Sequence, residues 1–244
     1  MKALIFAAGL GTRLRPLTNH TPKALVPLYD KPLLQHTIEY IASYGFDEII
    51  INVHHHARQI QDFIEKLNTN LSISISDESE ELLDTGGGLK KAAWFLNGSK
   101  PFLVINSDVI TNLELSKMIQ YHQEMKPAVT LAVRNDFRNR FLFFDEQMNL
   151  RGKGDTEGNR RLAPDVSAKD FYKFRFSGIH IIQPEILNTL PDRKRFPIME
   201  WYMNLCSNTT IKGFDHSDDF WMDLGRPENL MAAEHLYPKI FLNQ

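Results

Sequence analysis

Residues 2–27, KALIFAAGLGTRLRPLTNHTPKALVP, limit what this chain can become more than any other stretch. An apolar run of strand length, 3–7, breaks into Gly9-Leu10-Gly11-Thr12-Arg13, and Lys23 follows at the far end of a polar segment bounded by prolines. Glycine lets backbone N–H groups approach a phosphate closely, while a guanidinium adds a planar donor fork and an ammonium adds a point charge. The expected local structure is a strand feeding a phosphate loop. The plainer alternative, a tight strand-to-helix turn with solvated basic side chains, fits Gly-x-Gly alone. It fits less well once Thr12, Arg13, Pro16 and Lys23 are added.

A strand of this kind needs partners, and the following sequence supplies them. Residues 33–44 carry apolar side chains at helical spacing up to Gly45, 48–53 are a β-branched run, and 57–67 return to a helical pattern. A strand at 71–76, a Gly86-Gly87-Gly88 break, a helix through Trp94, a strand at 102–106 and a helix near 115–124 continue the alternation. Continuous apolar strands alternating with helices predict a doubly wound, mostly parallel α/β sheet covered on both faces. After Pro127 the texture changes. Strands are expected at 129–133, 141–144, 176–182 and 210–214, with 151–170 a mobile, polar loop bordering a site and 227–236 a closing amphipathic helix.

With 244 residues a core can form without staples, and a single domain over 1–244 is expected. A formal charge of −2 with dispersed Lys and Arg gives no footprint of a nucleic-acid binder. The single cysteine, Cys206, cannot form an internal disulfide and lies in an apolar stretch, so a buried small hydrophobe is expected. The N-terminus opens on a strand rather than a leader, and no segment approaches the ~20 apolar residues that cross a bilayer. No membrane association and a cytoplasmic location are therefore expected.

Two familiar phosphate loops are excluded by spacing. A dinucleotide fingerprint needs a third glycine where Leu14 stands and an acid near 52–54, and a Walker loop needs Gly-Lys-Ser/Thr, which is absent. In an open parallel sheet ligands bind beyond the carboxyl ends of strands. Asp108, after the strand ending at Asn106, can hold a metal against phosphate there, or can simply cap a helix; Asp223, before Gly225-Arg226-Pro227, has the same two readings. His54-His55-His56 reads as solvated or capping, because consecutive residues at a strand end face alternate sides and no further ligand falls at metal spacing. Phe174, Phe176, Trp201 and Trp221 read as core or cleft wall.

Gly9-Leu10-Gly11-Thr12-Arg13-Leu14-Arg15-Pro16-Leu17-Thr18 followed by Pro22-Lys23-Ala24-Leu25-Val26-Pro27 closely resembles the signature of the sugar-1-phosphate nucleotidylyltransferases, the NDP-sugar pyrophosphorylases. Leu83-Asp84-Thr85-Gly86-Gly87-Gly88 is similar to a segment of the branch that holds N-acetylmuramate α-1-phosphate uridylyltransferase and short mannose-1-phosphate guanylyltransferase-like proteins. Segments 140–145, 176–179 and 221–227 also resemble that branch. The resemblance implies a Rossmann-like, GT-A-like sheet with a nucleotide-binding half, 1–126, and a sugar-binding half, 127–244. It implies catalysis by Arg13, Lys23 and Asp108, nucleotide binding by Ala8, Gly9, Gly11, Thr12, Arg13, Lys23, Gly86 and Gly87, sugar contacts from Asn106, Gly178 and Asp223, and Mg²⁺ on Asp108 and Asp223. Ser107 departs from the family's usual glycine and bears on sugar fit.

The implied reaction joins an NTP to a sugar 1-phosphate, giving NDP-sugar and pyrophosphate. UTP with N-acetylmuramate 1-phosphate, a step of cell-wall recycling, is the first expectation, and mannose-1-phosphate guanylyltransferase the alternative. The chain leaves no room after 236 for the left-handed β-helix of larger relatives, so a monomer or small homo-oligomer is expected. A nucleotide-sugar-consuming glycosyltransferase is disfavoured because residues 107–109 lack Asp-x-Asp, and a non-catalytic nucleotide-sugar sensor because Lys23 and both aspartates are present.

Overall fold

Ala3, Leu4 and Ile5 are all fully buried, which requires a strand with neighbours on both edges and cover on both faces. A computed structural model shows that arrangement; it describes residues 1–136, 139–164, 166 and 171–242. In chain order come β1 (Lys2–Phe6), 3-10 turns between Thr12 and Leu25, the short ladder of β2 (Pro27–Leu28) and β3 (Lys31–Pro32), α1 (Leu33–Ser43), β4 (Glu48–Val53), α2 (Ala57–Lys66) and β5 (Ser72–Asp77). Then follow α3 (Asp84–Leu96), β6 (Phe102–Asn106), β7 (Val109–Thr111), α4 (Leu115–Met125), β8 (Val129–Arg134), β9 (Arg140–Phe144), β10 (Leu150–Asp155) and β11 (Arg160–Leu162). The chain continues through β12 (Tyr172–Ile182), α5 (Ile198–Leu205), β13 (Ile211–Asp215), β14 (Trp221–Asp223) and α6 (Pro227–Tyr237).

Four strands form a parallel sheet in the order β5-β4-β1-β6. Alternate residues of β1 serve opposite layers: Ala3 and Ile5 pack with Ile38 of α1, Ile60 of α2 and Met118 of α4, while Leu4 packs with Leu89 of α3 and Tyr202 of α5. This is the doubly wound core expected from the alternation. Beyond β6 the sheet turns antiparallel through β12, which also pairs with β8 and β9. Cys206 is buried, at 4% exposure, as expected. Among the described residues there is no β-helix, and no helix is long and apolar enough to cross a membrane.

Two local expectations need correction. Residues 151–170 were expected as a loop, yet β10 and β11 form an antiparallel hairpin on β9; residues 165 and 167–170 lie outside the described set. Its glycines are strand residues for a packing reason. A Cβ at Gly154 would meet Phe141 at 2.9 Å and Phe143 at 3.1 Å, so side chains of β9 occupy that space. Likewise Gly86-Gly87-Gly88 is no break before a helix, because α3 already starts at Asp84 and contains all three.

The first turn of α3 lies against residues 194–196. Gly86 N–H donates to Phe196 O at 2.8 Å, and a Cβ at Gly87 would overlap Lys194 O. That obstacle is backbone and cannot swing aside. Gly87→Ala is therefore expected to cost about 1–3 kcal/mol, read as a lower midpoint in urea unfolding with the slope unchanged.

Candidate active site

In the order β5-β4-β1-β6 the chain winds from β1 outward through β4 and β5 and then crosses to the other edge of β1 as parallel β6, and a crevice opens beyond the carboxyl ends of β1 and β6, where an α/β sheet places ligands. A cleft of about 220 Å³ lies there, walled by Ala7–Gly9, Lys23, Asn106–Asp108 and Thr85. Ala7 N–H donates to Asn52 Oδ1 at 2.8 Å, which fixes the loop where it leaves β1. Around Gly9 a Cβ would find nothing within 4 Å, so this backbone faces open space. Gly11 has φ +64, and a Cβ there would lie 2.9 Å from Thr18 Cγ2 and 3.1 Å from Lys23 Cβ. Only glycine satisfies both the left-handed turn and that approach, so the loop folds back and delivers Lys23 to the cleft. Thr18 Oγ1 donates to Gly11 O at 2.8 Å and holds the return. Thr12 and the exposed Arg13 begin the next 3-10 turn, anchored by fully buried Leu14.

Lys23 forms an ion pair with Asp108, the two side chains being 14% and 15% exposed. Burial raises the Asp108 carboxyl above its ordinary value, the Lys23 ammonium opposes this, and the Asp223 carboxylate adds to it. Asp223 is a neighbour because β14 pairs antiparallel with β7, setting it opposite Val109, while Leu224 N–H donates to Asp108 O at 2.8 Å. The turn that follows closes the cluster. A Cβ on Gly225 would lie 2.6 Å from Arg13 Nη2, 2.7 Å from Asp223 Oδ1 and 2.9 Å from Lys23 Nζ. Three of the residues expected at the site, Arg13, Lys23 and Asp223, thus converge on one point of backbone, and Asp108 joins them through its ion pair with Lys23.

Asp108 and Asp223, whose charges repel, offer oxygen donors with no imidazole or thiolate beside them among the described residues, and that repulsion is what a divalent cation relieves. The donor set fits Mg²⁺, which takes one or two carboxylates and completes its shell with water and substrate phosphate. Among the described residues no group of three or more His, Cys, Asp or Glu gathers as a metal site. His54 Nδ1 is bonded to Glu78 O at 2.6 Å, and His56 sits in a left-handed conformation at the start of α2.

Asn106 and Gly178 also meet. Gly178 has φ +78, and a Cβ on it would lie 2.5 Å from Asn106 Nδ2. Gly86 and Gly87 are placed differently from the others: they pack on Phe196, and Asp84 and Thr85 present the wall of the cleft instead. Sequence reasoning overlooked Asn52 and Glu78. Glu78 is 1% exposed, lines the cleft, and accepts from Asn52 Nδ2 at 2.8 Å. Burial raises its carboxyl, with the Asn52 bond opposing. The available signal was position: an acid directly after β5, level with the carboxyl ends of β1 and β4.

Comparison with known proteins agrees with this geometry. A family model described as nucleotidyl transferase matches residues 2–140. Mannose-1-phosphate guanyltransferase of Aspergillus oryzae is 31% identical over 242 residues, covering 97% of this chain and 64% of that protein. Mannose-1-phosphate guanylyltransferase 1 of Arabidopsis thaliana is 30% identical over 243 residues with the same coverage. The chain thus spans just under two thirds of the length of these curated relatives. Among solved structures, HddC from Yersinia pseudotuberculosis complexed with GMP-PN has a TM-score of 0.78 at 24% identity, covering 97% of this chain and 99% of that one. UDP-glucose pyrophosphorylase complexed with UDP-glucose has a TM-score of 0.77 at 19% identity, covering 98% of each chain. At these identities the structural likeness speaks for the fold.

Proposed function

From the premise that this chain belongs to the nucleotidyl transferase family, we propose that it transfers a nucleotidyl group from an NTP to a sugar 1-phosphate, forming an NDP-sugar and pyrophosphate. The observation that carries this reading is the convergence of Arg13, Lys23 and Asp223 on Gly225, beside Asp108, at the switch point of the sheet. The attacking sugar phosphate oxygen is already ionised, so no protein nucleophile or strong base is needed. Catalysis is positioning and charge neutralisation.

In this reading the nucleotide half is 1–126 and the sugar half 127–244 of one domain. Backbone N–H groups from Ala8 to Thr12, with the Arg13 guanidinium, hold the departing β and γ phosphates. Lys23 neutralises charge that grows at the α-phosphate as the sugar phosphate oxygen attacks it. Asp108 and Asp223 would hold Mg²⁺, which supplies charge neutralisation shared between the reacting phosphates. Asn106 and the Gly178 backbone orient the sugar. A reaction consuming NTP belongs in the cytoplasm.

The base we favour is guanine. A carboxylate accepts hydrogen bonds only, and guanine offers an adjacent N–H pair whereas uracil offers one N–H between two carbonyls. Glu78 on the cleft wall supplies that acceptor, and the relatives at 30–31% identity are mannose-1-phosphate guanylyltransferases by name. The 83–88 resemblance is to a branch that holds uridylyl- and guanylyltransferases alike and does not separate UTP from GTP, and its Gly86 N–H bonds to Phe196 O. A hexose 1-phosphate with GTP is therefore the leading pair.

The test is pyrophosphate release across a matrix of NTPs and sugar 1-phosphates, with Mg²⁺ and with EDTA. GTP is expected to be used best, EDTA to stop turnover, and Glu78→Gln to lower kcat/KM for GTP at least about tenfold while UTP is spared. Sugar transfer without pyrophosphate release would mark a glycosyltransferase, and nucleotide-sugar binding without turnover a sensor.

A further inference from the structure

A buried polar chain lies behind the sugar side of the cleft. Strand β12 shifts register against β8 between Phe176 and His180, and the irregularity contains Ser177 and Gly178. Since Ile179 pairs with Ile105, Gly178 falls level with Asn106 at the carboxyl edge of β6. Bulges at such edges re-aim the backbone, and here the irregularity brings Gly178 against Asn106.

Two side chains pin it. Ser177 Oγ and His216 Nε2 share a hydrogen bond of 2.7 Å, at 1% and 3% exposure. Ser177 O accepts from Trp221 Nε1 at 2.9 Å, and Trp221 starts the strand that ends at Asp223. His216 is itself held rigidly: its N–H donates to Val133 O at 3.0 Å, and its carbonyl accepts from Arg134 Nη1 at 2.9 Å. Burial and then the Arg134 charge push its pKa down to about 4, against the pull of Asp215 and Asp136, so the ring is neutral near pH 7. Its Nδ1 has no hydrogen-bond partner, with Asp219 Oδ2 at 3.8 Å. A buried imidazole with one satisfied nitrogen is a costly way to fill space. Its one bond goes to the residue that precedes Gly178.

We propose that His216 is a positioning residue for sugar 1-phosphate: through Ser177 it sets the Gly178 backbone against Asn106 and, through the Ser177 carbonyl, seats Trp221 and the strand that delivers Asp223. It touches neither substrate. The inference rests on the nucleotidyl transfer reading for its kinetic consequence but not for its structural one, and the experiment separates the two.

Ser177→Ala, His216→Ala and His216→Gln are assayed for both KM values, for NTP binding at equilibrium, and for solvent exchange of the Trp221 indole N–H, one of three such signals. Ser177→Ala removes a single hydroxyl and keeps the test open if His216→Ala fails to fold. Expected are a roughly tenfold rise in KM for the sugar phosphate, the size of one lost buried hydrogen bond, unchanged NTP binding, and faster exchange at Trp221, with His216→Gln recovering most of each. Unchanged KM and unchanged indole protection overturn the inference. So does a parallel loss of NTP binding, which marks general structural support. A wild-type chain that turns over no NTP and sugar phosphate pair overturns the functional reading instead, and the Trp221 exchange then still decides whether His216 holds that strand.

Discussion

Lys23→Ala is expected to lower kcat by roughly 10²–10³-fold, with KM for the NTP little changed and the fold intact. The α-phosphate gains charge only as the sugar phosphate attacks, so an ammonium placed for that moment contributes to the transition state more than to binding. Lys23 is so placed because the chain folds back over Gly11, where an added Cβ would lie 3.1 Å from Lys23 Cβ. Its ion pair with Asp108 is a second function: it offsets the repulsion between Asp108 and Asp223. Without it the Asp108 carboxyl loses the charge that opposes its rise and meets the Asp223 carboxylate unneutralised. Lys23→Arg should restore only part of the rate, because a planar fork does not replace a point charge. Steady-state kinetics beside a thermal melt decide the matter. A variant turning over close to the wild-type rate removes Lys23 from the mechanism.

Gly225→Ala should reduce kcat/KM by about 10²-fold or more, the expected result of misplacing reacting groups by ~1 Å. The added methyl would claim space held by Arg13 Nη2, Asp223 Oδ1 and Lys23 Nζ, none more than 2.9 Å from it. All three are side-chain ends, so they can give way without breaking the backbone, though not while keeping their common focus. Activity should fall while the urea midpoint holds. This is the opposite of Gly87→Ala, where the obstacle is the Lys194 carbonyl and stability falls instead. Measuring both properties on both variants tests the distinction. A fully active Gly225→Ala enzyme would mean that the convergence of these charges is incidental.

Much of this architecture was legible in short stretches. The run 3–7, the glycines that follow and the alternation through 124 specify β1, the tight loop after it and the helix-covered sheet, because periodicity and turn chemistry act over a few residues. Asp108 could be placed at a strand's carboxyl end for the same reason. Asp223 could be suspected but not located: β14 and β7 are three residues each, too short to announce a partner or a register, yet their pairing is what sets the second carboxylate beside the first.

Two glycine-bearing segments read differently from sequence, 86–88 as a break and 151–170 as a polar loop. In both, the glycines answer to neighbours contributed by other segments: Gly86 to Phe196, Gly87 to Lys194, Gly88 to Asn52 and Glu78, and Gly152 and Gly154 to Phe143. Glu78 and the Ser177–His216 pair left no local trace either, since a buried polar side chain is explained by the partner it meets and not by the residues around it in sequence. Local sequence thus settled the glycine loop after β1 and the class of sheet, through interactions between residues near in the chain. The completed charge cluster, the acid on the cleft wall and the approach of Gly178 to Asn106 were settled by long-range pairing and close packing, whose energies depend on contacts that exist only once the sheet has closed.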